Sequence, residues 1–337
     1  MLEKPELENE KIIRCLWDDF GLSVKEITFL PLGADLNTAV YRVASNDGKD
    51  YFLKLRSGEF NEATVAVPSH LSSVGMKQVI PPLTTRSGLL WANLAPYKVI
   101  LYPFVEGHDG FDRKMSPQQW IKFGSALKRF HTAEFPTSVT HSVPREKFSA
   151  RWRDTVKLFI KRIEKDTFDE PVAAEMAAFL KAKSRETLEL VKQSERLAQV
   201  LQEQPPEFLL CHADIHGWNL LIDNAGALYM VDWDTLIFAP KERDLMFIGG
   251  ALGNSGYTPQ EEEGYFYQGY GQTEIDQIAI AYYRYERIVE DIAVYCEQIF
   301  LSNEGGEDRK QSLEYLASNF LPDGTMARAY HSDKSNR

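Results

Sequence analysis

The character of this chain changes near Gly107, and that change limits the folds available to it. The residues before it contain short apolar runs bounded by turn residues, which is typical of strands joined by hairpins. The residues after it carry apolar side chains at helical spacing, beginning at the capping sequence Ser116–Gln119. We therefore expect an α+β fold with an antiparallel sheet first and helices after it. The predicted strands are Glu26–Leu30, Thr38–Ala44, Asp50–Leu55, Leu89–Trp91 and Tyr97–Tyr102, with a short helix near Asn61–Leu71.

Composition excludes several classes of protein. With 337 residues, 44% of them hydrophobic, the chain is long enough for two packed lobes. It has no run of about 18 apolar residues, and Met1–Pro5 lacks the layout of a secretion signal, so we expect a cytoplasmic protein without a membrane span. The net charge of −11 disfavours nucleic acid and anionic membrane as partners and is compatible with a cationic small molecule. No obligate protein partner is evident.

Polar residues in the second half of the chain have the spacing of a phosphoryl-transfer site. Asp214 and Asn219 are five positions apart, and Asp232 ends an apolar run thirteen positions later. In a kinase-type site one carboxylate receives the substrate hydroxyl, while an amide and a second carboxylate hold Mg²⁺. This pattern indicates Asp214 as the catalytic base and Asn219 with Asp232 as metal ligands. An isolated match of this kind occurs by chance, but the strand-terminal Asp232 makes chance the weaker explanation.

The pattern of strands, hinge and helices predicts a bilobal, protein-kinase-like fold. We expect an N-terminal nucleotide-binding lobe at 1–105, a hinge at about 102–107, and a C-terminal catalytic and substrate-binding lobe at 106–337. The three cysteines are odd in number and far apart, which argues against a disulfide framework or a zinc site.

The small lobe must supply a cation for a nucleotide triphosphate. Lys54 lies inside a predicted strand, where a lysine is otherwise poorly placed unless it sits at an edge. Its expected partner is a helix carboxylate, for which Glu62 is favoured and Glu59 is the competitor.

Two further segments are candidates for nucleotide contacts. The turn Leu32–Asn37 would cover the phosphates through Gly33 and Asn37, although its single glycine fits an ordinary hairpin loop equally well. At the hinge, the carbonyl of Pro103 would accept from the adenine amino group and the N–H of Val105 would donate to the ring.

Together these residues resemble the aminoglycoside phosphotransferase family, which shares its fold with choline kinases and protein kinases. The resemblance covers nearly the whole chain, and it is most specific toward the spectinomycin phosphotransferase branch. Ala213 departs from the family, where glycine is common before the catalytic aspartate. The residues that carry the likeness are Lys54, the hinge ending at Gly107, His212-Ala213-Asp214-x-His216-x-x-Asn219, Val231–Asp234, Ala239–Gly250 and Tyr283–Tyr295.

The resemblance implies ATP-dependent O-phosphorylation of an aminocyclitol hydroxyl, with ATP and Mg²⁺ as cofactors. The ammonium groups of such an acceptor would bind Glu286 and Glu290, four apart on one helix, with Tyr283 beside them. The residues alone favour a solvated, salt-bridged helix instead, because arginines lie within the same turns. Asp234 is a further acceptor-binding candidate or a structural residue.

Two other functions stay open at this point. The same catalytic residues would serve a kinase of choline, another amino alcohol or a sugar, because a fold does not determine its substrate. A non-catalytic nucleotide-binding protein would be expected to have lost at least one residue among Lys54, Asp214, Asn219 and Asp232.

Overall fold

The computed structural model describes residues 3–33, 35, 37–249, 256–302, 306–322 and 325–334. These residues form two compact units. The boundary predicted near residue 105 lies inside the first unit and stays a prediction. The first unit draws on Met1–Pro144, His212–Leu236 and Leu252–Gly271, and the second on Arg145–Cys211, Ile237–Ala251 and Gln272–Arg337.

The first unit contains a five-stranded antiparallel sheet with the order β1-β2-β3-β5-β4. The predicted strand Leu89–Trp91 is wrong, because Leu89 closes a turn with Thr85. The Thr85 N–H donates to the Leu89 carbonyl at 2.8 Å and the Leu89 N–H donates to the Thr85 hydroxyl at 3.0 Å, so neither backbone group of Leu89 can join a ladder. The strand forms directly after it instead. The strands are β1 (Val24–Leu30), β2 (Thr38–Ser45), β3 (Asp50–Arg56), β4 (Ala92–Leu94) and β5 (Tyr97–Pro103).

One face of this sheet is packed against the N-terminal helix α1 (Asn9–Cys15), which continues as a π-helical turn, Leu16–Phe20. Leu53 and Leu55 of β3 are fully buried in that core together with Ile12 of α1. Because successive side chains of a strand point to opposite faces, Lys54 leaves the sheet on the other side.

A smaller sheet and four further helices belong to the described part of the first unit. Strands β6 (Gly107–Asp109), β8 (Leu220–Asp223) and β9 (Leu228–Met230) pair antiparallel in the order β6-β8-β9. Gly107 meets Asp223 in the register, and a Cβ there would collide with the carbonyl of Ile222. Besides α1, the longer described helices of this unit are α2 (Ala63–Ser73), α3 (Pro117–His131) and α9 (Pro259–Tyr270), and a single turn, α4 (Thr137–Thr140), follows α3.

Helix α3 forms where the sequence predicts it. The Ser116 hydroxyl accepts from the N–H of Gln119 at 3.3 Å, and the Gln119 side chain accepts from the N–H of Ser116 at 2.8 Å, so the capping box is complete. Its apolar stripe of Trp120, Phe123, Leu127 and Phe130 is fully buried. Helix α9 packs along it.

The α3–α9 contact depends on Gly269, and we expect Gly269→Ala to destabilise the protein by about 1–3 kcal/mol or more. A Cβ at this position would lie 2.8 Å from the carbonyl carbon of Ile121 and 2.9 Å from the N of Ser125 on α3, where only backbone could give way. Gly264, on the same helix, faces open space and serves as the matched control. Urea denaturation should show a lower midpoint for Gly269→Ala and an unchanged or higher one for Gly264→Ala; equal midpoints would contradict the packing described.

The second unit is mainly helical. Helix α10 (Gln277–Phe300) packs against α5 (Arg151–Ile163), α7 (Ser184–Glu203) and α12 (Thr325–Lys334). Asp276 caps α10 by accepting from the N–H groups of Ile278 and Ala279. The helices and strands of this unit are α5 (Arg151–Ile163), α6 (Pro171–Ala182), α7 (Ser184–Glu203), β7 (Leu209–Cys211), β10 (Ile237–Ala239), α8 (Glu242–Leu245), α10, α11 (Gly306–Ser318) and α12 (Thr325–Lys334).

Strands β7 and β10 pair antiparallel. Among the described residues, none of the helices combines the length and the apolar character that crossing a membrane requires.

Candidate active site

The loop between β7 and β8 places Asp214 next to Asn219. The Asn219 amide donates to the Asp214 backbone carbonyl at 2.8 Å and lies 3.3 Å from its carboxylate Oδ2. A short 3₁₀ turn, Gly217–Asn219, brings the two together across their spacing of five. Each side chain is largely buried, with the Asp214 side chain 20% exposed. The predicted base and the predicted amide ligand are therefore brought together by local folding.

His212 joins this loop to the segment that carries Asp232. Its ring is fully buried, Nε2 donates to the Val231 carbonyl at 3.0 Å, and Nδ1 lies 3.4 Å from the N–H of Asp214. The His212 carbonyl accepts from the Thr235 hydroxyl at 2.7 Å. The Trp233 ring packs on the histidine with centroids 4.8 Å apart. His212 therefore holds two loops in place, and no sequence pattern singles out Trp233.

Two residues of the site have left-handed backbone, Ala213 with φ 68° and Asp232 with φ 62°. For a residue with a Cβ this conformation costs about 1–2 kcal/mol. Ala213 therefore occupies a position suited to glycine, the residue expected there from the family pattern.

We expect Ala213→Gly to raise the free energy of unfolding by about 1 kcal/mol with the catalytic residues still in place, because glycine adopts this conformation without strain. Ala225→Gly is the matched control. Its φ is not left-handed, so the same substitution there should lower stability by about 0.5–1 kcal/mol. Thermal denaturation of both variants measures the difference, and a loss of stability in Ala213→Gly would contradict the role assigned to its backbone.

Lys54 is buried and held by two aspartates. Its Nζ lies 2.7 Å from Asp232 Oδ1 and 2.8 Å from Asp234 Oδ2. Burial disfavours the charged ammonium, but these carboxylates outweigh it and raise the pKa of Lys54 above its ordinary value. Partial desolvation opposes ionisation of the half-exposed Asp232 carboxyl, but the Lys54 ammonium outweighs it and lowers the pKa of that carboxyl. Both groups are charged at neutral pH.

The structure corrects the expected partner of Lys54. Glu62 precedes α2 with an exposed side chain, and Glu59 is exposed as well, whereas the Lys54 ammonium contacts Asp232 and Asp234. The reason is that Asp232 and Asp234 lie within reach of the buried ammonium on their 3₁₀ turn. Asp234, considered for acceptor binding or a structural role, pairs with Lys54, and its Oδ2 also lies 3.5 Å from Arg56 Nη1. Its role toward the acceptor stays a prediction.

Arg56 connects this cluster to the turn after β1. Its Nη1 pairs with the Asp35 carboxylate and donates to the Thr38 hydroxyl at 2.9 Å. Gly33 has φ 84°, and the N–H of Asn37 is taken by Asp35 Oδ1 at 2.9 Å. Ala34 and Leu36 of the predicted phosphate-covering turn lie outside the described residues. The roles of Gly33 and Asn37 stay predictions.

Pro103 ends β5 opposite Tyr51, and Val105 follows with a half-buried side chain. Between them the N–H of Phe104 donates to the Asp50 carbonyl at 3.1 Å, which fixes the extended path of the hinge segment. The adenine contacts assigned to Pro103 and Val105 stay predictions.

The structure also alters the interpretation of the acidic helix, which belongs to the second unit. Glu286 is 5% exposed, and its Oε2 accepts from Arg153 Nη1 at 2.7 Å and from the Ser194 hydroxyl. Glu290 Oε2 lies 3.4 Å from Arg243 Nη2. Since arginines already neutralise both carboxylates, they are not preformed sites for ammonium groups.

Tyr283 is fully buried, its hydroxyl 3.4 Å from Glu146 Oε2 and its ring beneath the Arg243 guanidinium. Burial raises the pKa of the Tyr283 phenol well above its ordinary value. The salt-bridged alternative fits this helix, although Glu286 is buried rather than solvated. Sequence reasoning did not single out Arg153 as the partner of Glu286. The pattern that could have indicated it is its position on the buried helical stripe shared with Val156, Ile160 and Ile163.

The donor set of the first unit fits Mg²⁺. Because Asn219 donates through its nitrogen to Asp214, the amide oxygen is the end left for a ligand. Asp232 offers a half-exposed carboxylate, 49% exposed, and carboxylate and amide oxygens are the ligands that hard divalent cations prefer.

The chain matches one protein family over most of its length. The model of the phosphotransferase enzyme family, APH, matches residues 28–279. The chain belongs to this family. No curated protein sequence matches this phosphotransferase significantly.

Within the family, two solved structures of one enzyme are similar to this chain over nearly its whole length. Spectinomycin phosphotransferase APH(9)-Ia, in complex with ADP and spectinomycin, is 35% identical over 98% of this chain and 99% of its own, with a TM-score of 0.89. Its AMP-bound complex is 34% identical over 95% and 98%, with a TM-score of 0.84. Choline kinase LicA from Streptococcus pneumoniae, at 16% identity, a TM-score of 0.55 and coverage of 92% and 99%, shares the fold alone. The predicted kinase-like α+β fold is confirmed.

Proposed function

We propose that this phosphotransferase transfers the γ-phosphate of ATP to a hydroxyl of an aminocyclitol antibiotic similar to spectinomycin. The observation that carries the proposal is the 35% identity, over 98% of the chain, to a phosphotransferase crystallised with ADP and spectinomycin. The grouping of Lys54, Asp214, Asn219 and Asp232 in one compact unit supports it.

In the proposed reaction Asp214 receives the proton of the acceptor hydroxyl. The hydroxyl oxygen then bonds to the γ-phosphorus, the bond from that phosphorus to the β-phosphate oxygen breaks, and ADP leaves with the bonding electron pair. Asn219 holds the Asp214 carboxylate in place through its amide. Lys54 is already charged and directed into the site, so on nucleotide binding it can exchange one carboxylate for phosphate oxygens.

Mg²⁺ would be held by Asp232 and the amide oxygen of Asn219, and when bound it neutralises charge on the phosphates. That assignment is consistent with the left-handed turn at Asp232 and the amide orientation at Asn219.

The test is a coupled assay of ADP release with Mg²⁺ and ATP against spectinomycin, other aminoglycosides, choline and homoserine. We expect phosphorylation of spectinomycin, with mass spectrometry showing the added phosphate on the antibiotic. Turnover of choline or homoserine without turnover of any antibiotic would replace the proposal with a metabolite kinase. Expression in a spectinomycin-sensitive bacterium, with the Asp214→Asn variant as control, tests whether the reaction protects a cell.

A further inference from the structure

Two aromatic side chains lie exposed beside the catalytic loop. Trp218 is 44% exposed and Phe111 is 41% exposed, and their rings pack with centroids 4.9 Å apart at 48°. Both belong to the first unit. Leaving these two rings in water does not stabilise the isolated protein, because burying apolar surface is what lowers its free energy.

The backbone holds this pair in a fixed position. The N–H of Gly110 donates to the carbonyls of Gly217 and Leu220, both at 2.9 Å, which ties the turn before Phe111 to the catalytic loop. Asp109 Oδ1 accepts from the N–H of Phe111 at 2.9 Å and caps that turn. The two rings therefore form one surface, held by the turn at Gly110 and by the catalytic loop.

His216 connects the pair to the reacting group. Its ring meets Trp218 edge to face, with centroids 5.6 Å apart at 88°. Its Nε2 lies 3.4 Å from Asp214 Oδ2. A molecule resting on Trp218 is thus separated from the catalytic carboxylate by one imidazole, a separation that a ring-sized acceptor can span.

The chemistry of the surface suits a cationic or carbohydrate-like ring. Aromatic faces are electron-rich, so they attract ammonium groups and the polarised C–H bonds of saturated rings. The carboxylates of α10 to which the family resemblance assigned this task, Glu286 and Glu290, are paired with arginines.

We infer that Trp218 and Phe111 form the aromatic surface that binds the acceptor of this phosphotransferase and sets its preference for a cationic ring. This inference rests on the proposed function and adds to it the residues that recognise the acceptor. It places acceptor recognition within the loop that carries Asp214.

The experiment measures the KM for spectinomycin and the affinity for ADP in Trp218→Ala. We expect the KM to rise by about tenfold, the effect of losing one well-placed cation–π or stacking contact. ADP affinity, measured by calorimetry, should stay within about twofold, since only the acceptor contact is removed. Trp218→Phe, which keeps an aromatic face, should restore most of the wild-type KM.

Trp17→Ala is the matched control. Trp17 is another exposed tryptophan, 53% exposed, and its ring already faces a cation, because the Arg86 guanidinium lies 5.7 Å from the centroid. This variant should leave both constants unchanged.

Three outcomes would overturn the inference. If Trp218→Ala keeps the wild-type KM while the wild type turns over spectinomycin, the pair does not bind the acceptor. If Trp218→Ala loses ADP affinity and turnover together, and Trp218→Phe does too, the pair only supports the loop. If the wild type phosphorylates no member of the antibiotic panel, the proposed function fails, and this inference with it.

Discussion

Asp214→Asn is expected to lower turnover by about 10²–10⁴-fold while ADP still binds, because the amide cannot accept the proton of the acceptor hydroxyl. The substitution keeps the size of the side chain. The bond at 2.8 Å from the Asn219 amide to the backbone carbonyl of residue 214 does not involve the carboxylate. The variant should therefore fold and melt like the wild type.

Steady-state kinetics with spectinomycin and calorimetry with ADP measure the two effects separately. Asp47→Asn is the matched control, since Asp47 is an exposed aspartate in the hairpin between β2 and β3. We expect it to leave kcat unchanged. Normal turnover in Asp214→Asn would remove this aspartate from the reaction, whereas loss of ADP binding would show that the substitution disturbs the loop instead.

Arg153→Met is expected to destabilise the protein by about 3–5 kcal/mol, because it leaves the Glu286 carboxylate buried without its partner. Arg153 is 2% exposed, and besides Glu286 it donates to the Phe148 carbonyl at 3.0 Å and the Ser149 carbonyl at 2.9 Å. The pair therefore ties α10 to α5 and to the segment before α5. Urea denaturation of the single variant should show the loss directly.

The double variant Arg153→Met/Glu286→Leu tests the cause of that loss. With both charges gone, no buried ion is left unpaired, and most of the stability should return. A double variant as unstable as the single one would show that packing around Arg153, not the charge, is responsible.

Glu286→Gln separates the sequence-based role from the structural one. If Glu286 bound an ammonium group of the acceptor, the KM for spectinomycin would rise with stability unchanged. The structure predicts the reverse, a loss of stability with little change in KM.

Local patterns in the sequence were enough to predict the strands around Lys54 and the capping box of α3. The same holds for the grouping of Asp214 and Asn219, because the two residues are close in sequence and one 3₁₀ turn joins them. Such features follow from hydrogen bonds between residues close in sequence and from the alternation of apolar and polar residues, and both can be read from a single sequence.

Pairing across long separations could not be predicted. Lys54 and Asp232 are 178 positions apart, and Arg153 and Glu286 are 133 apart. The residues around a carboxylate on a helix do not indicate whether an arginine from another helix will pair with it. For this reason Glu286 looked like a binding residue, while Trp218 and Phe111, separated by more than a hundred positions, did not look like a pair.

The number of residues from Asp214 to Asn219 has a consequence for how this enzyme can diversify. Both hydrogen bonds of Asn219 to Asp214 depend on that length, so an insertion or deletion between them would separate the base from its support. Trp218 lies inside this segment. On the acceptor role inferred for Trp218, new acceptor preferences would arise by exchanging side chains at fixed loop length, and a mutagenesis library for altered acceptor range should randomise positions 218 and 111 rather than vary the loop.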